Sequence, residues 1–263
     1  MTTIKLDPGA ALLLDALHGA GHAAYAVGGC VRDSLLGLDP HDWDLCTSAR
    51  PEQVMALFGE EKCIPTGLQH GTVTVKQGGR LYETTTFRTE GAYSDGRHPD
   101  AVCFVPDVRE DLARRDFTIN AMAFHPVRGL VDPFDGQNDL ANKVIRCVND
   151  PDTRLQEDAL RVLRAMRFSS QLGFWIAPDT EAAICKHAPA LSEVAGERLR
   201  QELEKLLCGK AVRQTLLRFT DEELASILDQ NQSYYAACIP AGTYSGQTED
   251  LNTFGAKCLL CVR

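Results

Sequence analysis

The sequence lacks long hydrophobic runs. None of its apolar stretches approaches the roughly 20 residues that a helix needs to cross a bilayer. Its first residues, MTTIKLDPGA, have neither the charged start nor the apolar stretch of a secretory signal peptide. Because 44% of the 263 residues are hydrophobic, the chain has enough apolar side chains for a core. These features predict a globular protein of the cytoplasm with no membrane partner.

The sequence also lacks a regular cysteine framework. Its ten cysteines occur at irregular spacings, which in a reducing compartment is typical of small buried side chains. Cys258 and Cys261 form a C-x-x-C pair, but no second pair and no histidine lies near them. We therefore expect neither a disulfide framework nor a zinc site.

An excess of positive charge is absent as well. The chain has 36 acidic and 27 basic residues, a net charge of -9, so a nucleic-acid partner would need a local basic surface. The arginines are bunched in two groups, which comprise Arg109, Arg114 and Arg115, and then Arg154, Arg161, Arg164 and Arg167. On charge alone, such groups are typical of solvated helix faces.

Hydrophobic periodicity divides the chain into a mixed part and a helical part. The first part predicts a helix over 7–21, strands in AAYAVGG and DWDLCTSA, a helix in PEQVMALF capped by Ser48, and a hairpin in GTVTVKQGGRLYETTTFR. DLARRDFTINAMAF is helical in pattern, and nearly everything from 152 to about 210 favours helix. We therefore expect an α+β fold, in which a small mixed β-sheet with helices is followed by an all-helical part.

A double glycine, Gly28-Gly29, ends the first predicted strand. Glycines at this point let backbone N–H groups approach an anion closely, and a helix that starts there directs its positive end at the same place. The arrangement suits a phosphate group, although a Gly-Gly pair alone also occurs in ordinary turns.

Two carboxylates, Asp42 and Asp44, follow a short distance on. If they lie on a strand, residues two apart leave the same face, where they can hold a hard cation through oxygen ligands. Glu83, on the predicted hairpin, is the candidate for a third carboxylate, with a solvent-facing strand residue as the alternative. A phosphate site beside divalent metals is typical of enzymes that catalyse phosphoryl or nucleotidyl transfer.

Five motifs occur in the order GGCVRDSLLG, DWD, RRDFTINAMAF, DPFDG and EDALRVLRAMRF. Together they resemble the class II tRNA nucleotidyltransferase and bacterial poly(A) polymerase family, whose members build RNA 3′ ends without a nucleic-acid template. The resemblance covers residues 25 to about 218. It implies a nucleotidyltransferase catalytic head at residues 1–141 and a helical neck, with a nucleotide-selecting helix, at 142–219.

The resemblance also implies roles for residues of the head. Asp42 and Asp44 are its metal ligands, with Glu83 as the further catalytic carboxylate. The implied nucleotide-binding set is Gly28 and Gly29 as the phosphate-binding turn, Arg32 close to the triphosphate, Asp33 as a brace of that turn, Arg115 and Asp116 as the nucleotide-holding motif, and Asn120 as a support of its loop.

In the neck, Glu157, Asp158 and Arg161 match the family's protein template. The resemblance implies that the aspartate and the arginine read the Watson–Crick edge of the incoming base. CTP and ATP each present an amino group beside a ring-nitrogen acceptor, whereas UTP and GTP do not. The spacing of three places Asp158 and Arg161 on one helix face, and Arg164 and Arg167 continue it toward phosphates or the RNA end. A surface ion-pair ladder is the alternative.

A last neck motif, ERLRQELEKLL, resembles the segment that braces the template helix through charge pairs. Family members continue with helical body and tail regions that grip tRNA, and the resemblance does not extend to those regions. Residues 220–263 are instead turn-rich and β-prone, and IPAGTYSGQTED resembles a C-terminal part of the TAXI branch of tripartite-transporter solute receptors. A fragment of this size forms no binding cleft alone, so we assign it no function.

These features predict a template-independent nucleotidyltransferase that uses Mg²⁺ and acts on the 3′ end of tRNA or another RNA. Our first expectation is CCA addition to tRNA from CTP and ATP with release of pyrophosphate. Poly(A) synthesis from ATP stays open, because both activities share these motifs. A nucleotide-binding remnant without turnover also stays open, because the body region has no counterpart.

Overall fold

The computed structural model describes residues 4–91, 93 and 101–228. The chain divides into two compact units, of which unit 1 comprises residues 1–94 and 98–142, and unit 2 comprises 95–97 and 143–263. The Cys258–Cys261 pair and the part of the predicted tail after residue 228 lie outside the described residues. No helix in the described ranges has both the length and the apolar character that crossing a membrane requires.

Unit 1 combines short strands with five helices among its described residues. The strands are β1 (Ala24–Val27), β2 (Leu45–Thr47), β3 (Cys63–Gly67), β4 (Thr72–Gln77), β5 (Arg80–Thr86), β6 (Arg88–Glu90), β7 (Val102–Phe104), β8 (Ala123–His125) and β9 (Gly129–Val131). The helices are α1 (Pro8–Gly19), α2 (Gly29–Leu35), α3 (Pro51–Phe58), α4 (Val108–Ala113) and α5 (Gly136–Asn142).

Seven of these strands form one mixed sheet in the order β3-β4-β5-β2-β1-β8-β9. β2 and β5 run parallel, whereas the other neighbours are antiparallel. β6 and β7 form a separate antiparallel pair. The predicted small mixed sheet with helices is therefore confirmed.

The predicted hairpin is present as β4 and β5. Gln77 pairs with Arg80, so a two-residue loop of Gly78 and Gly79 joins the strands. Both glycines have positive φ, at 57° and 78°, which is the conformation that a tight hairpin turn of this length favours. The turn fixes the register that places Glu83 on β5.

The first helix is shorter than predicted, and its apolar face differs at one position. Asp7 caps α1 by accepting a hydrogen bond from the Gly9 N–H at 2.9 Å. Leu13, Leu14 and Leu17 are buried, but Leu12 is exposed. The helical period explains this difference, because four leucines within six residues cannot all face the core.

Two predictions around the second strand were wrong. β2 begins at Leu45, so Asp42 and Asp44 lie in the segment that enters the strand. Ser48 does not cap α3, because its hydroxyl instead accepts a hydrogen bond from the Ala23 N–H at 2.9 Å. Because β2 starts only at Leu45, the two carboxylates lie at the end of the sheet, beside the glycine turn that follows β1.

The segment DLARRDFTINAMAF is not one helix, contrary to its pattern. α4 ends at Ala113, a 3₁₀ turn covers Thr118–Asn120, and β8 follows. Phe117, Ile119 and Met122 are fully buried. Because β8 pairs with β1, non-local burial and strand pairing override the local helical preference.

The described residues of unit 2 are helical, as predicted, apart from one parallel pair of two-residue strands that the sequence analysis missed. A helix also covers residues 221–228, at the start of the tail that was predicted to be turn-rich and β-prone. The elements of unit 2 are β10 (Val144–Ile145), α6 (Pro151–Glu157), α7 (Leu160–Leu172), β11 (Trp175–Ile176), α8 (Pro178–His187), α9 (Gly196–Leu207), α10 (Val212–Leu216) and α11 (Asp221–Leu228). The Ser170 hydroxyl on α7 donates to the Leu206 carbonyl on α9 at 2.7 Å. α7 and α9 therefore pack closely, which matters for the charged residues that they share.

Candidate functional site

The Gly28-Gly29 turn lies between β1 and α2. Gly28 has φ 80° and ψ -129°, a conformation that side chains other than glycine adopt only with strain. Its N–H donates to the Met122 carbonyl at 3.1 Å. A Cβ at position 28 would lie 3.1 Å from Nη1 of Arg115. The backbone conformation thus favours glycine here, and a larger residue would also press against the Arg115 guanidinium.

Arg32 is held beside the same turn by residues that the sequence analysis grouped with it. Its Nε donates to Asp33 Oδ1 at 2.8 Å, and its Nη1 donates to Asn120 Oδ1 at 2.7 Å. Asn120 in turn donates to Asp116 Oδ1 at 3.2 Å. A Cβ on Gly29 would lie 3.7 Å from Nη2 of Arg32. The structure therefore brings these predicted residues together.

Arg115 approaches the turn from the other side. Its side chain is only 19% exposed, and its Nη2 donates to Asp111 at 3.3 Å. Its Nε has no hydrogen-bond partner within the described part of the chain. Burial is the largest influence on the pKa of Arg115 and lowers it, but the interactions with Asp111, Cys46 and Asp44 together more than offset that effect. The guanidinium is therefore a fixed positive charge at the glycine turn.

The candidate metal ligands gather at the end of β2. Because Leu45 pairs with Thr84 in the parallel β2–β5 register, Asp44 is opposite Glu83. The pKa of Asp44 is raised to about 6, first by desolvation and then by the negative charge of Glu83 and Asp42, while Arg115 opposes the shift. The Asp44 residue as a whole is nonetheless exposed to solvent.

This donor set fits a hard divalent cation. Asp42, Asp44 and Glu83 supply carboxylate oxygens, and like charges this close are costly without a cation between them. Within the described ranges, no three acidic, histidine or cysteine side chains already stand in a metal-binding arrangement. The roles of Asp42 and Asp44 as metal ligands, and of Glu83 as the third carboxylate, accordingly stay predictions.

In unit 2, the expected template residues do not share one helix face. α6 ends at Glu157, Asp158 has an extended backbone, and α7 begins at Leu160. Asp158 Oδ1 accepts from the Leu160 N–H at 3.1 Å, and its Oδ2 pairs with Arg198 on α9 at 2.7 Å. The extended backbone of Asp158 separates the two helices, and its side chain bonds to the backbone at the start of α7.

Arg161 is fixed by the end of α6. It forms an ion pair with Glu157 and donates to the Arg154 carbonyl at 2.9 Å. Arg154 pairs with the same Glu157 carboxylate at 2.7 Å. Glu157 therefore orients the predicted base-reading arginine.

The two later arginines of α7 differ from each other. Arg167 is 9% exposed, forms an ion pair with Glu202 on α9, and lies with its Cζ 3.9 Å from the centre of the Phe168 ring. Arg167 therefore has partners inside unit 2, and its contact with phosphates or the RNA end stays a prediction. Arg164 is more exposed, at 33% of its side chain, and lies 3.7 Å from Glu202.

The predicted brace between ERLRQELEKLL and the template segment is confirmed. In that motif, Arg198 forms an ion pair with Asp158, and Glu202 pairs with the two later arginines of α7.

Sequence reasoning missed Asp111, because by its sequence context it is an ordinary acidic residue on a helix. Its spacing of four from Arg115 was the signal that pointed to a pair.

Two family models match the chain. The poly(A) polymerase head domain matches residues 24–146, and the probable RNA- and SrmB-binding site of polymerase A matches residues 173–230. The CCA-adding enzyme of Limosilactobacillus fermentum is 49% identical over 212 residues, which are 81% of this chain and 52% of that protein. The CCA-adding enzyme of Leuconostoc citreum is 52% identical over 204 residues, which are 78% and 50% of the two chains.

Solved structures show the same likeness. The Bacillus stearothermophilus CCA-adding enzyme in complex with CTP has a TM-score of 0.73 and 45% identity, over 80% of this chain and 51% of that one. The Thermotoga maritima CCA-adding enzyme complexed with tRNA has a TM-score of 0.69 and 28% identity, over 84% and 53%. The chain thus spans about half the length of the relatives that it matches. These matches, in the same order as the motifs, show that the chain belongs to the family of CCA-adding enzymes and poly(A) polymerases.

Proposed function

We propose that the chain is a template-independent RNA 3′-end nucleotidyltransferase that adds C and A to tRNA from CTP and ATP, with release of pyrophosphate. The observation that carries this proposal is in unit 1, where two arginines flank the Gly28-Gly29 turn and carboxylates crowd around Asp44. The relatives named as CCA-adding enzymes favour the CCA reaction. A cytoplasmic site of action is part of the proposal.

In this proposal, Arg32 and Arg115 bind the triphosphate beside the glycine turn. Their guanidinium groups suit phosphate oxygens because they donate several hydrogen bonds in a fixed plane. Asn120 and Asp116 keep Arg32 in place through the hydrogen bonds described above. Asp116, which is buried next to this network, is the proposed contact to the ribose.

We further propose that Asp42 and Asp44, with Glu83, hold Mg²⁺. When bound, such ions activate the attacking 3′ hydroxyl and neutralise charge on the triphosphate. The carboxylates contribute the oxygen ligands, and Arg115 limits their mutual repulsion by lowering the pKa of Asp44 against the other causes. The family's dependence on a divalent ion agrees with this donor set.

Base selection is assigned in the proposal to Asp158 and Arg161, within a neck that covers 142–219. A carboxylate accepts from the exocyclic amino group of cytosine or adenine, while a guanidinium donates to the adjacent ring nitrogen. Arg198 and Glu157 orient the two side chains in unit 2. This support favours a fixed hydrogen-bonding pattern, which is what a protein template needs.

Poly(A) synthesis is the second candidate, because the matching head-domain model is that of poly(A) polymerase. The test is extension of a tRNA transcript that lacks its CCA end, resolved to single nucleotides, with Mg²⁺ and each triphosphate alone and in combination. Ordered growth by C, C and A is expected. Growth by A alone would favour the second candidate, and CTP binding without growth would indicate a remnant without turnover.

A further inference from the structure

We infer that Asp111 is a positioning residue for the triphosphate, because it holds the Arg115 guanidinium against the Gly28-Gly29 turn. The inference rests on the proposed function, because only that function gives Arg115 a phosphate to bind. It adds a residue that is neither in the glycine turn nor among the predicted metal ligands.

Asp111 is fully buried on α4, and its two oxygens have different partners. Oδ1 accepts from the Arg88 N–H at 3.2 Å and from Arg114 Nε at 3.0 Å. Oδ2 accepts from Arg115 Nη2 at 3.3 Å. Burial raises the pKa of Asp111, but the charges of Arg114 and Arg115 outweigh it and keep the pKa below its usual value. One oxygen of an ionised carboxylate is thus directed at Arg115.

The other amino group of the same guanidinium, Nη1, lies close to the glycine turn. Nη1 of Arg115 is the atom nearest to a Cβ built on Gly28, at 3.1 Å, whereas Nη2 is the atom bound to Asp111. Among the described residues, Asp111 is the carboxylate to which Arg115 donates. Fixing Nη2 on one side sets the direction in which Nη1 points, because the guanidinium is planar and rigid. Without Asp111, the side chain would lose this orientation while keeping its charge.

The same network contains a matched control. Glu90 is also largely buried, with 8% of its side chain exposed, and it pairs with Arg114 and Arg88 at 2.9 Å each. The ion pairs that Glu90 forms do not involve Arg115. Replacing Glu90 by Gln therefore removes one buried negative charge from the network and leaves the Asp111–Arg115 contact intact.

The experiment measures the affinity of the full chain for CTP and for CMP by calorimetry with Mg²⁺. For Asp111→Asn, we expect CTP to bind at least about tenfold more weakly, because a misdirected guanidinium loses a charge-assisted hydrogen bond to the triphosphate. The affinity for CMP should change less than about twofold, because CMP has no triphosphate. Glu90→Gln should leave the ratio of the two affinities unchanged. Asp111→Glu, which keeps the buried charge but moves the carboxylate by one methylene, should show the same selective loss if Asp111→Asn fails to fold.

A double-mutant cycle separates positioning from structure. In an Arg115→Ala background, adding Asp111→Asn should cost no further CTP affinity. Equal loss of CTP and CMP, or an equal effect of Glu90→Gln, would overturn the inference, as would an absence of CTP binding by the wild-type chain. If the wild-type chain binds CTP with this Asp111 dependence but extends no RNA, the proposed transfer reaction fails while the positioning role stands.

Discussion

Replacing Gly28 by alanine should damage both the fold and nucleotide binding. The backbone at φ 80° and ψ -129° is a region that only glycine occupies readily, so a side chain there costs about 1–3 kcal/mol. The added Cβ would also lie 3.1 Å from Nη1 of Arg115, which must move by a few tenths of an ångström. We expect a total loss of about 2–3 kcal/mol, or roughly 4–12 °C in the unfolding midpoint for a chain of this size. Displacement of Arg115 should weaken CTP binding as well.

Two other glycines supply matched controls for this substitution. Gly37 has φ 72°, and no atom lies within 4 Å of a Cβ built on it, so Gly37→Ala tests backbone strain alone. It should cost about 1 kcal/mol and leave CTP affinity unchanged. Gly29 has no such strain, and its Cβ would meet Arg32 Nη2 only at 3.7 Å, an ordinary contact. Gly29→Ala should therefore change stability little.

Thermal unfolding by circular dichroism and CTP titration by calorimetry measure the two effects separately. If Gly28→Ala were no more destabilising than Gly37→Ala and bound CTP normally, the argument from the Arg115 contact would be refuted. If Gly28→Ala lost stability but kept its CTP affinity, the turn would be a structural feature without a phosphate.

Three further predictions concern the carboxylates, the brace and an imidazole pair. Asp44→Ala should abolish RNA extension in the gel assay while leaving the circular dichroism spectrum unchanged, and extension that survived would remove the metal assignment. Arg198→Ala should reduce discrimination between CTP and UTP, whereas Arg200→Ala, which breaks an exposed pair on the same helix, should not. Burial lowers the pKa of the stacked His18 and His125 below 6.5. Since the unfolded chain then binds protons more readily than the folded chain, the free energy of unfolding should fall as pH drops through 6.5. His18→Phe should reduce that pH dependence, as measured by thermal unfolding at several pH values.

The hairpin and the glycine turn could be predicted from the sequence because local chemistry determines them. Gly78 and Gly79 suit a two-residue turn wherever they occur between alternating strands, and Gly28 marks a backbone that other residues avoid. The strand β8 could not be predicted in this way. Its residues have a helical pattern, and only pairing with β1, which is about a hundred residues earlier in the chain, turns them into a strand.

The same distinction between local chemistry and non-local contacts applies to the residues of the candidate site. Residues of the glycine turn and the carboxylate pair are recognisable because their types and spacing carry the chemistry. The break at Asp158 was not predictable, since a helical period continues through it and the contacts of its side chain with Leu160 and Arg198 form only in the folded chain. Asp111 was missed for a similar reason, because burial, rather than residue type, makes a carboxylate a structural anchor.

The chain as a whole is negatively charged, whereas the Arg115 guanidinium at the glycine turn is positive. A net charge of -9 does not attract a polyanion over long distances. The short-range attraction of Arg115 for an anion does not depend on the net charge of the chain. Because Arg115 is largely buried, salt screens its charge less than it would screen the charge of an exposed lysine. Asp111 neutralises part of that charge, but the same carboxylate also forms an ion pair with Arg114. The group of Asp111, Arg114 and Arg115 therefore keeps a net positive charge, and Arg115 directs it at the glycine turn. In the proposed function, a triphosphate would thus be bound by short-range, oriented hydrogen bonds, which do not require a net positive charge on the chain.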